Sequence, residues 1–376
     1  MNRVFITAYS VISSLGIGNE QNYHNLSNNC STIYRPKESD VFKKPYFPIE
    51  KNLGIDEDVT LSAKIALKLL SLTEGKWQQH SPLPLFLATS TGGIKETEEV
   101  YLSLKKNKGK FDLSGKNYFY DIYQAIQGKY GEKINEAYTF STACSASAHA
   151  VLHAFRYIKN GIIDKAIVMA VDALSITTMF GFDSLKLVSE NGTNPLSLKR
   201  DGLSLGEGGA VFLLESEPSG EPIAEIIGAY SNSDGFHITS PSPDGEMQIE
   251  CIKKAIEIAG IDKNEIDYIN AHGTGTMTND EIELRAIKNI FEKPVPVTSL
   301  KGFIGHTVGS SAAIELALCF EMMKRDKIFQ PLNFNSPIEP EYIPEKSIDK
   351  KVGVFIKNSF GFGGNNASII IKNLFG

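Results

Sequence analysis

The spacing of apolar and polar residues predicts strands that alternate with helices throughout the N-terminal half of the chain. Apolar runs of strand length and apolar residues recurring at threes and fours mark the elements. In order they are strand 3–11, helix 61–72, strand 83–87, helix 96–105, strand 138–142, a helix from 145 to 160, and strands 166–173 and 210–215. Residues 35–58, 106–119 and 189–202 lack this periodicity and are predicted to be loops.

The same pattern restarts near Ile223. The second half predicts strand 223–230, helix 246–259, strand 266–270, helix 279–291, strand 295–299, helix 307–325, and strands 352–357 and 367–372. Alternating strands and helices predict an α/β fold with largely parallel sheets. The similar order and length of the two halves suggest a duplicated unit, which divides the chain into residues 1–222 and 223–376.

Composition and charge narrow the class of protein. The chain has 376 residues, 42% of them hydrophobic and 22% charged, which is typical of a soluble globular protein with about two domain-sized units. A net charge of −6 argues against binding to nucleic acid or to an anionic membrane. The apolar runs are too short for a membrane span, and the N-terminus lacks a signal-peptide core.

The spacing of the cysteines and histidines gives no sign of a metal site or a disulfide. The four cysteines are far apart and form no CxxC pair: Cys30, Cys144, Cys251 and Cys319. Zinc and disulfides are therefore not expected, and a reducing cytoplasm fits best. His149 and His153 have a spacing that can ligate metal, but no third ligand is evident, so structural hydrogen bonding is the preferred interpretation and no metal is expected.

Cys144 lies where a short strand gives way to a helix. Helix-start N–H groups and the positive end of the helix dipole lower a thiol pKa, which would favour a nucleophilic thiolate. The alternative is that Cys144 is a small buried hydrophobic residue, a common environment for free cysteine. The stretch alone leaves both interpretations open.

Three later strands each end in a glycine-containing loop with polar residues. His272 follows the first strand, at the end where open α/β sheets place ligands, and Lys301 and His306 follow the second. The third loop, residues 358–366, exposes backbone N–H groups that could face an oxyanion. Structural histidines and simple turns would explain each loop taken singly. Helix capping would likewise explain Asp280 and Glu283.

Taken together, these segments resemble one family. The matching segments are Ser141-Thr142-Ala143-Cys144-Ser145, residues 200–208, residues 270–283, Lys301-Gly302-Phe303-Ile304-Gly305-His306 and residues 358–364. In this order, over the whole chain, they are similar to the β-ketoacyl-[acyl-carrier-protein] synthases, the condensing enzymes of fatty-acid and polyketide synthesis. The resemblance implies a thiolase-like fold with two similar βαβ halves in a layered α-β-α-β-α architecture.

The resemblance also implies residue roles. Cys144 would be the acylated nucleophile, and His272 and His306 would stabilise the decarboxylating extender. Lys301 and Glu283 would organise the histidines, with Asp280 nearby. The remaining roles are an oxyanion hole at the N–H groups of Cys144 and Phe362, phosphopantetheine contacts at Thr274 and Thr276, and an acyl pocket at Thr91, Phe182 and Phe362, with Phe362 as its gate.

The implied partner is acyl carrier protein, whose phosphopantetheine carries the substrates, so no cofactor of the protein itself is expected. An acidic carrier would dock on local basic residues, although such charges are often only solvated. The candidates are Lys64, Lys68, Lys186, Lys199 and Arg200. The resemblance further implies a homodimer, or a heterodimer with a related ketosynthase or chain-length factor.

Several departures from the family pattern leave the substrate open. The chain is short before Cys144, residues 119–123 replace an Asn-Met-containing approach, and Asn365 stands where threonine is usual. With these changes, the protein could act in a pigment or polyene pathway instead of in fatty-acid elongation. A non-catalytic chain-length factor is the main alternative, although such partners usually lose the nucleophile. A thiolase would need a second cysteine in the C-terminal glycine loop, and the sequence has none after Cys319.

Overall fold

The structure, a computed structural model, describes residues 1–107, 119–332 and 336–375. Its helices are α1 (Asn19–Ser27), α2 (Leu61–Trp77), α3 (Ile94–Asn107), α4 (Tyr120–Tyr130), α5 (Ala146–Lys159), α6 (Ile176–Ser184), α7 (Glu246–Ala259), α8 (Met277–Ile290), α9 (Lys301–Ile304) and α10 (Ser311–Met323). Its strands are β1 (Phe5–Ser13), β2 (Gly16–Ile17), β3 (Leu83–Ala88), β4 (Ile134–Phe140), β5 (Lys165–Asp172), β6 (Gly208–Glu215), β7 (Ala224–Ser233), β8 (Tyr268–Asn270), β9 (Val297–Thr298), β10 (Lys327–Ile328), β11 (Ile348–Asp349), β12 (Val354–Phe360) and β13 (Asn365–Asn373).

The main sheet consists of two series of strands with the same internal order. The first runs β4-β3-β5-β6-β1 and the second β9-β8-β12-β13-β7. When the five strands of each series are numbered in chain order, both series have the spatial order 3-2-4-5-1. They meet where Phe5 and Ile6 of β1 pair with Glu225 and Ala224 of β7. The described residues thus contain two similar halves, while the boundary at 222/223 remains a prediction.

The directions of the strands differ from the expectation of a largely parallel sheet. β3 is parallel to β4 and β5, and β8 is parallel to β9 and β12. The pairs β5–β6, β6–β1, β12–β13 and β13–β7 are antiparallel. The prediction was wrong because continuous apolar runs report that both faces of a strand are covered, and this burial does not determine direction.

Helices α5 and α10 form the middle layer of the fold. α5 contacts β3 and β5 of the first series and β7 and β13 of the second, and α10 contacts β6 and β12. α2 and α4 cover the outer face of the first series, and α7 and α8 pack together outside the second. This arrangement confirms the predicted α-β-α-β-α layers. It also explains why α5 and α10 are almost entirely buried.

Individual elements agree with the sequence pattern to different degrees. The predicted helix 246–259 is α7 with the same bounds, whereas helix 61–72 extends to Trp77. Helix α6 was missed, because only Met179 of its nine residues is buried and no apolar stripe marks it. Most of the predicted loop 106–119 lies outside the described residues. Among the helices described, none is both long and apolar enough to span a bilayer.

Candidate active site

The loops after β8, β9 and β12 converge at one edge of the second series. These three strands are parallel neighbours, in the order β12-β8-β9, so their carboxyl ends lie together. His272 follows β8, His306 follows β9 through α9, and Phe362 follows β12. Crevices at the carboxyl ends of such strands are where α/β proteins bind ligands. The topology therefore brings together three loops that are distant in sequence.

Cys144 reaches the same edge from the first half, through a sharp turn between β4 and α5. Ala143 has φ 48°, a left-handed conformation that is uncommon for a residue other than glycine, and Cys144 follows it in a short 3₁₀ turn. The second half repeats this turn before α10, where Val308 has φ 49° and Gly309 stands at the position corresponding to Cys144. Only the first copy of the turn therefore carries a thiol.

One cavity of about 220 Å³ joins most of the predicted site residues. Cys144, His272, His306 and Phe362 all line it. Phe182, Thr274 and Thr276 also lie on its walls, and Lys186 lines it as well. The Phe182 and Phe362 rings stack with their centroids 5.5 Å apart, and Phe182 also lies 6.2 Å from the His306 ring. The two phenyl rings thus form an apolar wall beside the imidazole.

The thiol of Cys144 is protonated at neutral pH, contrary to the prediction from the helix start. Burial raises the pKa of Cys144 to about 11, because only 2% of the residue is exposed and the thiolate would lose its hydration. Hydrogen bonds from the backbone N–H groups of Phe362 and Cys144, and the charge of Lys301, oppose this rise in pKa. Desolvation outweighs them. The two N–H groups nevertheless converge at the sulfur.

Alkylation of Cys144 should therefore depend steeply on pH. Iodoacetamide reacts with the thiolate, so the rate should rise about tenfold for each pH unit from pH 7 to 9, without a plateau, since the pKa is about 11. Intact-mass kinetics would measure this in a Cys30→Ala background, which removes the half-buried Cys30 thiol from the reading. A plateau below pH 8 would instead indicate that the helix start does ionise the thiol.

The two histidines are neutral hydrogen-bond donors. Burial, followed by the charge of Lys301, lowers the pKa of both imidazoles well below its usual value. The Val308 N–H donates to Nδ1 of His306 over 3.0 Å, so the proton of the neutral His306 ring is on Nε2. Nδ1 of His272 has no hydrogen-bond partner among the described residues. The rings lie 5.5 Å apart and nearly perpendicular.

Buried charges hold the turn that carries His272. The carboxylate of Glu283 accepts the N–H groups of His272 and Gly273 at 2.8 and 2.9 Å. Nζ of Lys301 donates to the His272 carbonyl oxygen at 2.5 Å. Both predicted organising residues thus contact the backbone of the turn, where they determine the position of the imidazole.

The sequence reasoning missed two further charges behind this turn. Both carboxylate oxygens of Glu315 lie 3.0 Å from Nζ of Lys301, and Nζ of Lys357 lies 2.6 Å from Oε2 of Glu315. All three side chains are fully buried. Glu315 lies in a largely apolar helix, 311–323, and Lys357 follows the apolar start of strand 354–360. A charged residue in such a mainly apolar element is the signal that could have found them.

Asp280 shapes the loop that bears the two threonines. Its carboxylate accepts the N–H groups of Thr274, Gly275 and Leu196. The hydroxyl oxygens of Thr274 and Thr276 lie 2.9 Å apart, and both residues line the cavity. The loop therefore presents a fixed pair of hydroxyl groups to whatever enters.

Thr91 is not among the described residues that line the cavity. Its N–H and its hydroxyl both donate to Oδ1 of buried Asp172 at 2.8 Å, and Ser310 N–H donates to Oδ2. The hydroxyl thus helps to tie the loop after β3 to the turn before α10. The assignment of Thr91 to an acyl pocket remains a prediction.

The predicted docking residues occupy different environments. Lys186 is exposed at the rim of the cavity, Lys199 is exposed, and Lys64 and Lys68 are half-buried on α2. Arg200 is only 7% exposed, and its guanidinium donates to the carbonyl oxygens of residues 197 and 277. The prediction of Arg200 as a surface charge was wrong, because its hydrogen bonds serve the loop beside α8.

One further cavity residue had no signal in the sequence. Gln248 of α7 lines the cavity and is 2% exposed, and its Oε1 meets no hydrogen-bond partner in the described part of the chain. A buried amide oxygen without a partner is costly, so a ligand N–H or O–H is its natural complement.

The histidines of α5 have structural contacts. Nδ1 of His149 lies 3.1 Å from Oγ1 of Thr142 and 3.0 Å from the Ser145 carbonyl oxygen, and the His153 ring packs on Phe140. Across residues 1–107, 119–332 and 336–375, no group of three or more His, Cys, Asp or Glu side chains could hold a metal ion.

Comparison with known proteins identifies the family. The family described as beta-ketoacyl synthase, N-terminal domain, matches residues 135–219, and the corresponding C-terminal domain matches residues 223–335. 3-Oxoacyl-[acyl-carrier-protein] synthase 2 of Rhizobium meliloti (strain 1021) is 36% identical over 100% of both chains. This chain belongs to the β-ketoacyl synthase family. The resemblance inferred from the sequence is therefore confirmed.

Other β-ketoacyl synthases support the same fold. The chloroplastic 3-oxoacyl-[acyl-carrier-protein] synthase II of Arabidopsis thaliana is 29% identical over 98% of this chain and 75% of its own. A solved ketosynthase (ApeO) in complex with its chain length factor (ApeC) from Xenorhabdus doucetiae matches with a TM-score of 0.87 and 26% identity, over 99% and 98% of the two chains. The ishigamide ketosynthase/chain length factor matches at 22% identity with a TM-score of 0.89, over 99% of both chains, which shows the fold alone.

Proposed function

We propose that this ketosynthase is a condensing acyltransferase that joins an acyl group on Cys144 to a malonyl group carried by acyl carrier protein. The observation that carries the proposal is the cavity in which one thiol, two neutral imidazoles and two backbone N–H groups meet. Each of these groups has a place in a decarboxylating Claisen condensation.

In the first step, Sγ of Cys144 attacks the thioester carbonyl of the acyl carrier. The carbonyl oxygen gains negative charge, and the N–H groups of Cys144 and Phe362 would stabilise it. The bond to the carrier sulfur breaks as the new C–S bond forms, and the proton of Cys144 ends on the departing carrier thiol. Because sulfur is both a soft nucleophile and a good leaving group, the acyl group can later be passed on.

In the second step, malonyl thioester loses CO₂ and becomes an enolate. The Nε2–H of His306 and an N–H of His272, both on buried side chains, would donate to the enolate oxygen. The enolate carbon then attacks the acyl carbonyl on Cys144. A C–C bond forms, the Cys144 thiolate leaves and is reprotonated, and β-ketoacyl carrier protein is released.

The carrier arm would enter past Lys186, with Thr274 and Thr276 as hydroxyl partners for its amide groups. Both hydroxyls belong to the cavity wall, and Lys186 is exposed at its rim, where an acidic carrier can approach. A dimer, with itself or with a related subunit, would use β4, which ends the first series of strands. These assignments follow from the proposed reaction.

A non-catalytic partner subunit is the second candidate, because one of the similar structures is a ketosynthase in complex with its chain length factor. Retention of Cys144, His272, His306 and Lys301 favours the catalytic subunit. A thiolase is disfavoured, since Gly361-Phe362-Gly363-Gly364 contains no second cysteine.

Reconstitution with a panel of acyl carrier thioesters and malonyl carrier protein tests the proposal. Intact-mass measurement should show an acyl adduct on Cys144, followed by CO₂ release and β-ketoacyl carrier protein. The chain lengths that load would also separate a fatty-acid role from a polyketide or polyene role. Failure of both the acyl panel and cerulenin to modify Cys144 would favour the non-catalytic partner.

Reversal of the charge at Lys186 should weaken carrier binding. Lys186→Glu is expected to raise the KM for acyl carrier protein several-fold at low salt and to have little effect above about 0.5 M salt, because exposed charges are screened. The control is Lys133→Glu, at an exposed position after α4. An unchanged KM at low salt would remove Lys186 from the docking surface.

A further inference from the structure

Two lysine ammonium groups share one carboxylate behind His272. Lys301 of α9 lies 3.0 Å from both carboxylate oxygens of Glu315 on α10, and Lys357 of β12 lies 2.6 Å from Oε2 of the same carboxylate. All three side chains are completely inaccessible to solvent. A buried lysine normally requires a carboxylate of its own. The single carboxylate of Glu315 therefore leaves one of the two ammonium charges without a balancing negative charge.

The excess charge is directed at the backbone that carries the imidazole. Nζ of Lys357 lies 3.4 Å from the Ala271 carbonyl oxygen, and Lys301 donates to the carbonyl oxygen of His272, the next residue. From the other side, Glu283 accepts the N–H groups of His272 and Gly273. Side chains from α8, α9 and β12 therefore contact three consecutive residues, 271–273.

We propose that Lys357 is a positioning residue for the decarboxylation step: it clamps the Ala271–His272 turn and supplies a buried positive charge that keeps both imidazoles neutral. A neutral imidazole still offers one N–H donor to the enolate, and the same positive charge would stabilise the enolate as it forms. The catalytic consequence rests on the proposed condensing function, whereas the effect on the imidazoles does not.

The positive charge of Lys357 changes the pKa of both imidazoles in the direction that this role needs. Burial is the main cause of the lowered pKa of His272 and His306, and the positive charges of Lys301 and Lys357 lower it further. The titratable groups facing Lys357 are Lys301, Glu315, Glu283, His272, His306 and Cys319. Of these, Glu315 is occupied by both lysines and Glu283 by the backbone of the turn, so an ammonium at position 357 disfavours imidazolium.

Two substitutions remove the positive charge, and only one of them also removes the donor to Ala271. Lys357→Met removes both and leaves the Lys301–Glu315 pair balanced, while Lys357→Gln removes the charge but retains a donor for Ala271. In both variants the imidazole pKa values of ¹³C-labelled histidine should rise by about one unit, the order expected when a buried unit charge is removed. The acid limb of the pH–rate profile for malonyl carrier decarboxylation, where the rate falls as the histidines become protonated, should move to higher pH by the same amount. The rate of acyl loading on Cys144 should stay within about twofold of the wild-type rate.

The control is Lys350→Met, which removes a half-buried lysine that donates to the Asp267 carbonyl oxygen before β8. It should leave the histidine titrations and the acid limb unchanged. The proposal would be overturned if the histidine titrations and the acid limbs were the same in wild type, Lys357→Met and Lys357→Gln. If the variants then differed from wild type only in a lower Tm, Lys357 would have a purely structural role. If Lys357→Met fails to fold, Lys357→Gln carries the test. Wild-type protein without decarboxylation would count against the proposed function, and the titrations would still decide the role of Lys357.

Discussion

Replacement of Cys144 by alanine is expected to reduce β-ketoacyl product at least about 1,000-fold, because no acyl-enzyme can form. Cys144→Ser should be almost as severe, since an alkoxide is a poor leaving group compared with a thiolate. Both variants keep His272 and His306, so they should still release CO₂ from malonyl carrier protein. Intact-mass analysis for the acyl adduct, with a parallel CO₂ assay, measures the two halves of the reaction separately.

The matched control is Cys251→Ala. Cys251 is another buried cysteine, on α7, whose thiol contacts the Tyr230 carbonyl oxygen. Its removal should leave acyl loading intact. Condensation at the wild-type rate in Cys144→Ala would exclude the proposed covalent intermediate, and loss of CO₂ release in Cys144→Ser would show that the two half-reactions are not separable as described.

The second large effect is expected for His306→Ala. Removing one donor to a developing oxyanion typically lowers the rate about 10²- to 10³-fold, so decarboxylation and condensation should both fall by this amount. Acyl loading of Cys144 should continue, because the N–H groups of Cys144 and Phe362 serve that step. Single-turnover loading followed by malonyl addition distinguishes the two stages.

His153→Ala provides the control, because His153 lies on α5, packs against Phe140 and does not contribute to the described cavity wall. It should retain both stages. If His306→Ala loses acyl loading but retains decarboxylation, the assigned division of labour between thiol and imidazoles is wrong.

Much of the site follows from local patterns in the chain. The strand-to-loop transitions at residues 270–276, 299–307 and 358–366 are visible as apolar runs that end in glycine and polar residues. Parallel neighbouring strands place such ends together, so the convergence of His272, His306 and Phe362 is a consequence of topology. The turn at Cys144 is similarly marked by small residues before an amphipathic helix.

Electrostatic and surface properties could not be obtained in this way. The helix-start argument predicted a lowered pKa for Cys144, whereas the middle-layer position of α5 buries the thiol and raises its pKa. Arg200 is a charged residue in a predicted loop, which suggested an exposed side chain. Its guanidinium instead donates to the carbonyl oxygens of Ser197 and Met277. The burial of Cys144 and the contact of Arg200 with the Met277 carbonyl oxygen both depend on segments that are distant in sequence.

Residue type and local spacing were enough to predict the family and the alternation of strands and helices in two similar halves, because both are recorded along the chain. The strand directions, the protonation of Cys144 and the sharing of Glu315 by Lys301 and Lys357 became visible only in the folded protein. The reason is physical: direction, desolvation and charge pairing are set by which segments pack against each other, and residues hundreds of positions apart meet only after folding.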